Sequence, residues 1–450
     1  MPISGFPEVM PAQRFAELAV LDRLRETFEL HGFAPLETPA VEALDQLTRK
    51  GEIDKEVYIL RRLHADSEDN SAGSAGSSAA AELGLHFDLT VPFARFVLEN
   101  AGHLEFPFRR YQIQKVWRGE RPQKGRYREF TQADIDVVAK DELSFHHDVE
   151  IARVMAEALA RLDFLPAMRL QVNNRKLIQG FYAGLGAADV AAVMRVIDKL
   201  DKVPADVIAK QLGDEAGLSP EQAALCLALA DIRTTDSSFV AKVRALGVGH
   251  PLLNEGLSEL AAVIDGCASI TGVTVEADLR IARGLDYYTG TVFETRMDGY
   301  DSLGSICSGG RYDSLASDGK TTYPGVGISL GVTRLLMPLF QEGALSSSRG
   351  VPSAVLVALP SEDDRDRCDQ IAQALRARGI ATEVAANPQK FGKQIRYAER
   401  RGIPFVWFPG ESHEVKDIRS GDQRAADPAV WTPPTEDLRP QVTFTKESEA

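Results

Sequence analysis

Between Arg109 and Arg128 the chain sets eight basic residues against one acidic residue, Glu120, although all 450 residues together carry a net charge of −14. Such a cluster focuses its field on a polyanion. Pro122 and Gly125 put most of that charge on an exposed turn between two strands. Side chains alternate along a strand, so Gln112, Gln114, Val116 and Arg118 point one way, and Gln132, Asp134 and Asp136 share one face of the next strand. The arginine suits phosphate, while amide and carboxylate acceptors suit a cationic or N–H-bearing substrate. One concave surface lined by both could bring such partners together. A solvated basic hairpin accounts for the charge equally well, and charge alone does not decide between them.

Other segments carry reactive side chains. Residues 280–295 place Arg283 before a glycine turn, then Tyr287 and Tyr288 ahead of a β-branched strand. Asp88, Leu89 and Thr90 lie within residues 86–96, Gly309 and Gly310 within 307–315, and Arg334 within 325–339. Each has a plain structural reading as well: core tyrosines beside a surface arginine, a turn aspartate, a Gly-Gly turn, a helical ion-pair partner. His146 and His147 have no third ligand nearby, which points to the start of a helix rather than to zinc. Gly184-Leu185-Gly186 lacks the third glycine and the strand–turn–helix setting of a dinucleotide-binding turn. Cys226, Cys267, Cys307 and Cys368 lie far apart and suggest no disulfide framework, which fits a reducing cytoplasm.

Periodicity indicates the elements that must hold these residues. Phe15, Leu18, Leu21, Leu24 and Phe28 recur at helical spacing over 12–30, and Gly32 stops that helix. Residues 66–81 are acidic and rich in Gly, Ser and Ala; they bury too little to repay ordering and read as a mobile loop between two strands. An apolar stripe over 146–162 predicts a helix. A first part of one domain spans 1–165, an alanine-rich helical insertion 166–274, and the rest of the first domain 275–342. Ser/Gly-rich residues 343–352 read as a linker. Residues 353–450 alternate strands (354–359, 380–385, 403–408) with helices, one over 391–401 and one started by Ser361 and Asp364 in a capping-box-like pattern. That alternation predicts a small α/β domain with a mixed or parallel sheet. At 44% hydrophobic and 26% charged the composition is that of a soluble globular protein. No apolar run approaches the roughly 20 residues needed to cross a bilayer, and the first residues show no secretory signal.

The segment WRGERPQKGRYREFTQADID, residues 117–136, closely resembles motif 2 of class II aminoacyl-tRNA synthetases in the form found in the histidyl-tRNA synthetase family. RGLDYYTGTVFE, residues 283–294, resembles the signature that sets histidyl members apart. HFDLTVPFARF (86–96), CSGGRYDSL (307–315) and GVGISLGVTRLLMPL (325–339) are similar to a histidyl substrate segment, the second histidyl signature and motif 3. Motif 1, around Pro35 to Glu42 with Pro39, is the least distinct. PQKFGKQIRYAERRGIP (388–404) and VKDIRSGDQ (415–423) resemble the histidyl anticodon-binding domain, with Lys393, Arg396 and Arg400 on one helical face. The resemblance covers essentially the whole chain. It departs at the 66–81 insert and at Ser4-Gly5, where Arg-Gly is common.

By that resemblance the fold is α+β: a class II antiparallel-sheet catalytic domain with a helical insertion, and a C-terminal α/β anticodon-binding domain. The implied activity joins L-histidine to ATP, with Mg²⁺ accompanying the nucleotide, and passes histidine to the 3′ end of tRNA(His). A cytoplasmic homodimer built on motif 1 is implied, with no membrane partner. Arg118 and Arg283 would be catalytic, flanking the α-phosphate and the histidine carboxylate, with Arg283 supplying charge where related enzymes can use a metal. Asp88 and Thr90 would hold the α-amino group, and Leu89 between them would also belong to the histidine-binding set. Gln132, Asp136, Tyr287 and Tyr288 would line the histidine pocket, Asp136 accepting the imidazole N–H. For ATP, Glu120 would lie near adenine, Arg126 on the phosphates, and Arg334 on adenine and the γ-phosphate. A histidine-sensing regulatory relative would lack the ATP-binding arginines, and another class II synthetase would need a different pocket.

Overall fold

The computed structural model describes residues 3–48, 56–61, 82–282, 287–317 and 319–445. The loop expected at 66–81 and the arginine at 283 lie outside the described residues. The chain divides into two compact units, residues 1–7 with 22–337 and residues 8–21 with 338–450. Helix α1 (Pro11–Leu30) contributes to both and ends at Gly32, whose φ of +77° suits a residue without a side chain.

One nine-stranded sheet organises the first unit. Its strands are β1 (Ala34–Pro35), β2 (Phe108–Trp117), β3 (Glu129–Val138), β4 (Met168–Asn174), β5 (Arg233–Thr234), β6 (Thr274–Asp278), β7 (Thr291–Met297), β8 (Cys307–Ser317) and β9 (Thr322–Gly331). They lie in the order β1-β2-β3-β9-β8-β7-β4-β6-β5. The central run from β2 to β4 is antiparallel throughout, while β1 joins β2, and β6 joins β4, in parallel.

Alternation along β3 divides its residues between two faces. Ala133, Ile135 and Val137 are fully buried and apolar, and Gln132, Asp134 and Asp136 take the other side. Val137, Val326 and Arg311 share a cross-strand row, and Arg311 reaches Asp148 of helix α3 (His146–Ala160) at 2.7 Å. The apolar face is therefore the one that α3 covers, which leaves the amide-and-carboxylate face for chemistry. Helix α2 (Thr90–Asn100) packs Phe93, Ala94 and Val97 beside Tyr312 and Tyr323.

The stretch read as inserted helices begins with a strand: Met168–Asn174 is β4, with Leu170 and Val172 fully buried inside the sheet. Helices then occupy Arg175–Gly184 through α4 (Pro251–Cys267). Two of them cross at backbone contact. A Cβ on Gly180 would meet Leu253 N at 2.2 Å, and one on Gly256 would meet Leu177 N at 2.2 Å. Helix α5 (Val332–Gln341) follows β9.

In the second unit, strands Thr382–Val384, Val355–Val357 and Phe405–Phe408 pair in parallel, and Glu414–Asp417 and Gln423–Ala425 extend the sheet antiparallel, giving the mixed sheet expected. Helices α6 (Arg365–Ala377) and α7 (Phe391–Arg401) supply Cys368, Leu375 and Ala398 to a core that also holds Trp407. Buried Gln394 of α7 exchanges hydrogen bonds of 2.8 and 2.9 Å with the Leu359 backbone, fixing the helix to the end of a strand. Two expectations change here. Residues 343–352 carry a strand, Leu345–Ser347, paired with Val442–Phe444, and Arg349 is buried with its guanidinium on the Asp437 carbonyl, so the stretch is packed structure rather than a linker. Ser361 bonds the Asp364 carboxylate within a short 3-10 turn, and α6 starts at Arg365 with no side-chain cap.

Candidate active site

Cross-strand register lays the polar face out in three rows: Gln114–Gln132–Gly331, Gln112–Asp134–Ser329–Ser308, and Arg110–Asp136–Gly327–Gly310. The third row is the most constrained. Asp136 is 4% exposed, with Arg110 Nη2 2.8 Å from its Oδ2 and the Tyr312 hydroxyl donating to its Oδ1 at 2.9 Å. Arg110 is fully buried, lies 4.3 Å over the Phe93 ring and donates to the Leu89 carbonyl at 3.4 Å. Glycine is required in this row. A Cβ on Gly327 would sit 2.0 Å from Asp136 Oδ1, and one on Gly310 would sit 2.7 Å from the Tyr288 ring.

A phenol wall stands beside that row. Tyr287 stacks on Tyr312 at 5.6 Å and meets Tyr288 edge-on at 4.9 Å. Burial, reinforced by the Asp136 charge, pushes the Tyr288 and Tyr312 hydroxyls upward, so both remain neutral donors at physiological pH. Asp88 stands within electrostatic reach of Tyr288, and its Oδ1 accepts the Val91 N–H at 3.0 Å at the start of α2. Thr90 is the first residue of that helix and is half-buried.

In the middle row, Asp134 is 2% exposed, and its Oδ1 has no partner among the described residues. Burial, opposed by Arg110 and reinforced by Asp136 and Asp88, raises its carboxyl to about 7. A carboxyl whose folded pKa exceeds its unfolded value stabilises the fold while protonated. That contribution is full below the unfolded pKa and is lost as pH rises through the folded one. Relative to Asp134→Asn, the unliganded protein should lose about 2 kcal/mol of unfolding free energy between about pH 5.5 and 8. Urea unfolding across that range checks it; parallel slopes for the two proteins would contradict the assignment.

The first row opens into a cavity of about 210 Å³ whose lining includes Arg118, Glu120, Arg126, Gln132, Ser329 and Arg334. Arg118 is held by its Nε on the Phe87 carbonyl at 3.0 Å and lies 5.1 Å over Phe130. Glu120 pairs with Arg126 at 3.0 Å and approaches Arg118 at 3.9 Å. The basic loop turns at Gly125, whose φ of +75° favours glycine and whose Cβ would sit 3.0 Å from Leu303. Arg334, from α5, donates to the Leu303 carbonyl and so reaches the same cavity. The N-terminal segment braces the loop, the Gly5 carbonyl accepting from the Arg128 N–H at 2.7 Å.

The structure thus gathers Arg118, Glu120, Arg126, Gln132 and Arg334 around one cavity, and Asp88, Leu89, Asp136, Tyr287 and Tyr288 around the acid row. Sequence reasoning missed Arg110 and Tyr312, and placed Asp134 on the correct face without giving it a task. Alternation from Gln112 and Gln114 back to Arg110, and the tyrosine two residues after Gly310, were the available signals.

Two features lie away from this site. His146 and His147 do have a third potential ligand, because Glu150 returns one helical turn later, with the ligand atoms within 4.8 Å of one another. Glu150 is, however, taken by His147 Nδ1 at 2.6 Å and by Arg109 Nε at 3.1 Å, and the adjacent guanidinium opposes a cation. In the second unit, Lys393, Arg396, Tyr397 and Arg400 of α7 line a cavity of about 630 Å³.

Comparison with known proteins gives concordant results. A family profile described as "Histidyl-tRNA synthetase" matches residues 5–335, and one described as "Anticodon binding domain" matches residues 354–425. Proteins named "Histidine--tRNA ligase" from Cutibacterium acnes and Micrococcus luteus are 61% and 60% identical, covering 99% and 98% of this chain and the same shares of their own. The crystal structure of histidyl-tRNA synthetase from Nostoc sp. PCC 7120 superposes with a TM-score of 0.83 at 32% identity, over 95% of this chain and 96% of that one. Among the described residues no helix is long and apolar enough to cross a membrane. The sheet with its acid-and-phenol row, the arginine-lined cavity beside it and the match along the whole chain agree: this chain belongs to the histidyl-tRNA synthetase family.

Proposed function

We propose that the chain charges tRNA(His) with histidine in two steps at the polar face of the nine-stranded sheet. The histidine carboxylate attacks the α-phosphorus of ATP in line. The bond to pyrophosphate breaks and histidyl-adenylate forms. A terminal ribose hydroxyl of the tRNA then attacks the acyl carbon and AMP leaves. Neither step needs a protein nucleophile; the protein supplies position and charge.

Arg118 stabilises the charge developing on the α-phosphate, a role that the motif resemblance also gives to Arg283. Arg334 holds adenine and the γ-phosphate, with Glu120 and Arg126 toward the nucleotide. Mg²⁺ would accompany ATP and neutralise phosphate charge; Glu120, a carboxylate lining the cavity, is paired with Arg126 and would lie beside it. Asp88 and Thr90 face the α-amino group, and Gln132 the main chain of the amino acid. Asp136, backed by Arg110 and Tyr312, accepts the imidazole N–H beside Tyr287 and Tyr288.

The observation that carries this reading is the sharing of one sheet face by unlike chemistry: a guanidinium-lined cavity at the Gln132 row and, two rows along β3, a buried carboxylate held by an arginine and a phenol. Aminoacylation of purified tRNA with each amino acid in turn tests it. Histidine alone should be incorporated at a substantial rate, and incorporation of a different amino acid, or of none, would overturn the reading. Gly327→Ala should raise the KM for histidine by more than about tenfold and lower stability, because the methyl would meet both the Asp136 carboxylate and the Ile135 carbonyl. An unchanged KM would contradict the place given to Asp136.

We further assign residues 1–165 and 275–342, together with β4 (Met168–Asn174), to the catalytic domain, the helices between β4 and β6 to an insertion, and 353–450 to anticodon recognition. The face of α7 bearing Lys393, Arg396 and Arg400 then meets RNA phosphate. A cytoplasmic homodimer built on the segment around Pro39 completes the proposal; sedimentation of the purified protein tests that assembly.

A further inference from the structure

We propose that Asp134 is a second acidic recognition residue of the amino-acid site, and that its unshared carboxylate oxygen receives the α-ammonium group of the substrate. The inference rests on the function proposed above and assigns a residue that the motif resemblance leaves without a role.

Position supports it first. Asp134 lies in the row between Gln132, which lines the arginine cavity, and Asp136, which anchors the acid row. Its cross-strand neighbours toward β8 are Ser329, which hydrogen-bonds the Asp134 carboxyl, and Ser308, both lining the cavity. A substrate spanning from the α-phosphate to the imidazole pocket has its α-carbon over this row.

Hydrogen bonding supports it next. Asp136 has Arg110 on one oxygen and Tyr312 on the other. By contrast, Asp134 Oδ1 and Gln132 Oε1 are buried acceptors without a donor among the described residues, two positions apart on one face of β3. Buried acceptors left bare are costly, and a ligand donor is a common reason for their persistence. An ammonium group has three N–H donors, and Asp134 Oδ1 and Gln132 Oε1 offer two of them bare acceptors.

Charge supports it last. The charged and titratable groups facing Asp134 are Arg110 from β2, Asp136 from β3, Asp88 ahead of α2, Cys307 from β8, and Tyr288. Burial holds the Cys307 thiol and the Tyr288 phenol neutral. Among the described residues, Asp88, Asp134 and Asp136 all lie within electrostatic reach of Tyr288, and Arg110 is paired with Asp136, so the row is rich in acid. An imidazole of ordinary pKa, about 6.5, offers little at neutral pH, whereas an α-ammonium is fully charged there.

The test compares the full-length wild type with Asp134→Asn in histidine-dependent ATP–pyrophosphate exchange. KM for histidine should rise by roughly 10- to 100-fold, with kcat changing by less than about threefold. Histidinol, which keeps the ammonium, should lose affinity by the same factor; imidazolepropionate, which lacks it, should bind both proteins alike. A protonated Asp134 must release its proton to receive a cation. Histidinol binding to the wild type should therefore tighten as pH rises through about 7, and Asp134→Asn should keep only the ligand's own titration. If the Asn protein does not fold, Asp134→Ser serves in the same comparison. A variant within about twofold of wild type for histidine, or one that weakens imidazolepropionate equally, would overturn the assignment. A wild type with no histidine-dependent exchange would instead sink the proposed function itself.

Discussion

Replacing Arg118 with alanine is expected to slow histidyl-adenylate formation by about 10³-fold while the KM for histidine moves far less. The charge that Arg118 meets grows as the α-phosphorus gains its fifth oxygen, so the interaction is stronger in the transition state than in the ground state. Its Nε is committed to the Phe87 carbonyl and its plane rests over Phe130, so the guanidinium is held in place before substrate arrives. Lysine supplies charge without that fork, and Arg118→Lys should recover only a small part of the loss. Single-turnover pyrophosphate release checks both variants; a near-normal rate for the alanine protein would contradict the role.

The second large effect concerns selectivity. Asp136→Asn is expected to lower kcat/KM for histidine by about 10²- to 10⁴-fold and to erode discrimination against other amino acids. The same change removes the counter-charge of a fully buried arginine, and breaking such a pair costs about 3–5 kcal/mol of stability. The two consequences separate in a double variant. Adding Arg110→Met to Asp136→Asn removes the unpaired charge and should restore much of the stability while leaving histidine selectivity lost. Thermal unfolding and pyrophosphate exchange with a panel of amino acids measure the two arms. Retained selectivity in Asp136→Asn would show that the carboxylate is not the ring acceptor.

Much of the site could be read from the chain because strand alternation is a local property. Gln132, Asp134 and Asp136 fall on one face wherever β3 sits, and the structure keeps them there. Helix 391–401 was equally legible, since its bounds are set by local periodicity and by Gly402, which ends it at a φ of +70°. Long-range pairing was not legible. Arg110 gains its meaning from Asp136 across the strand, and Tyr312 reaches Asp136 from a segment 176 residues away. The strand at 168–174 opens a stretch that is otherwise mostly helical, and only its place between β6 and β7 shows it as a central strand. Residues 343–352 have the composition of a linker, yet they pair with Val442–Phe444 from the far end of the chain. Glu150 lies one helical turn beyond His146, and the ion pair that removes it from metal binding comes from Arg109 on β2.

A crystal structure of the protein with L-histidine and a non-hydrolysable ATP analogue tests most directly whether one pocket serves both ligands. The expected result places the α-phosphate against Arg118, the adenine beside Arg334, and the imidazole on Asp136 between the tyrosines. A nucleotide bound away from Arg118, or an imidazole that makes no contact with the Asp136 row, would contradict the assignment of this sheet face as the histidine-activating site.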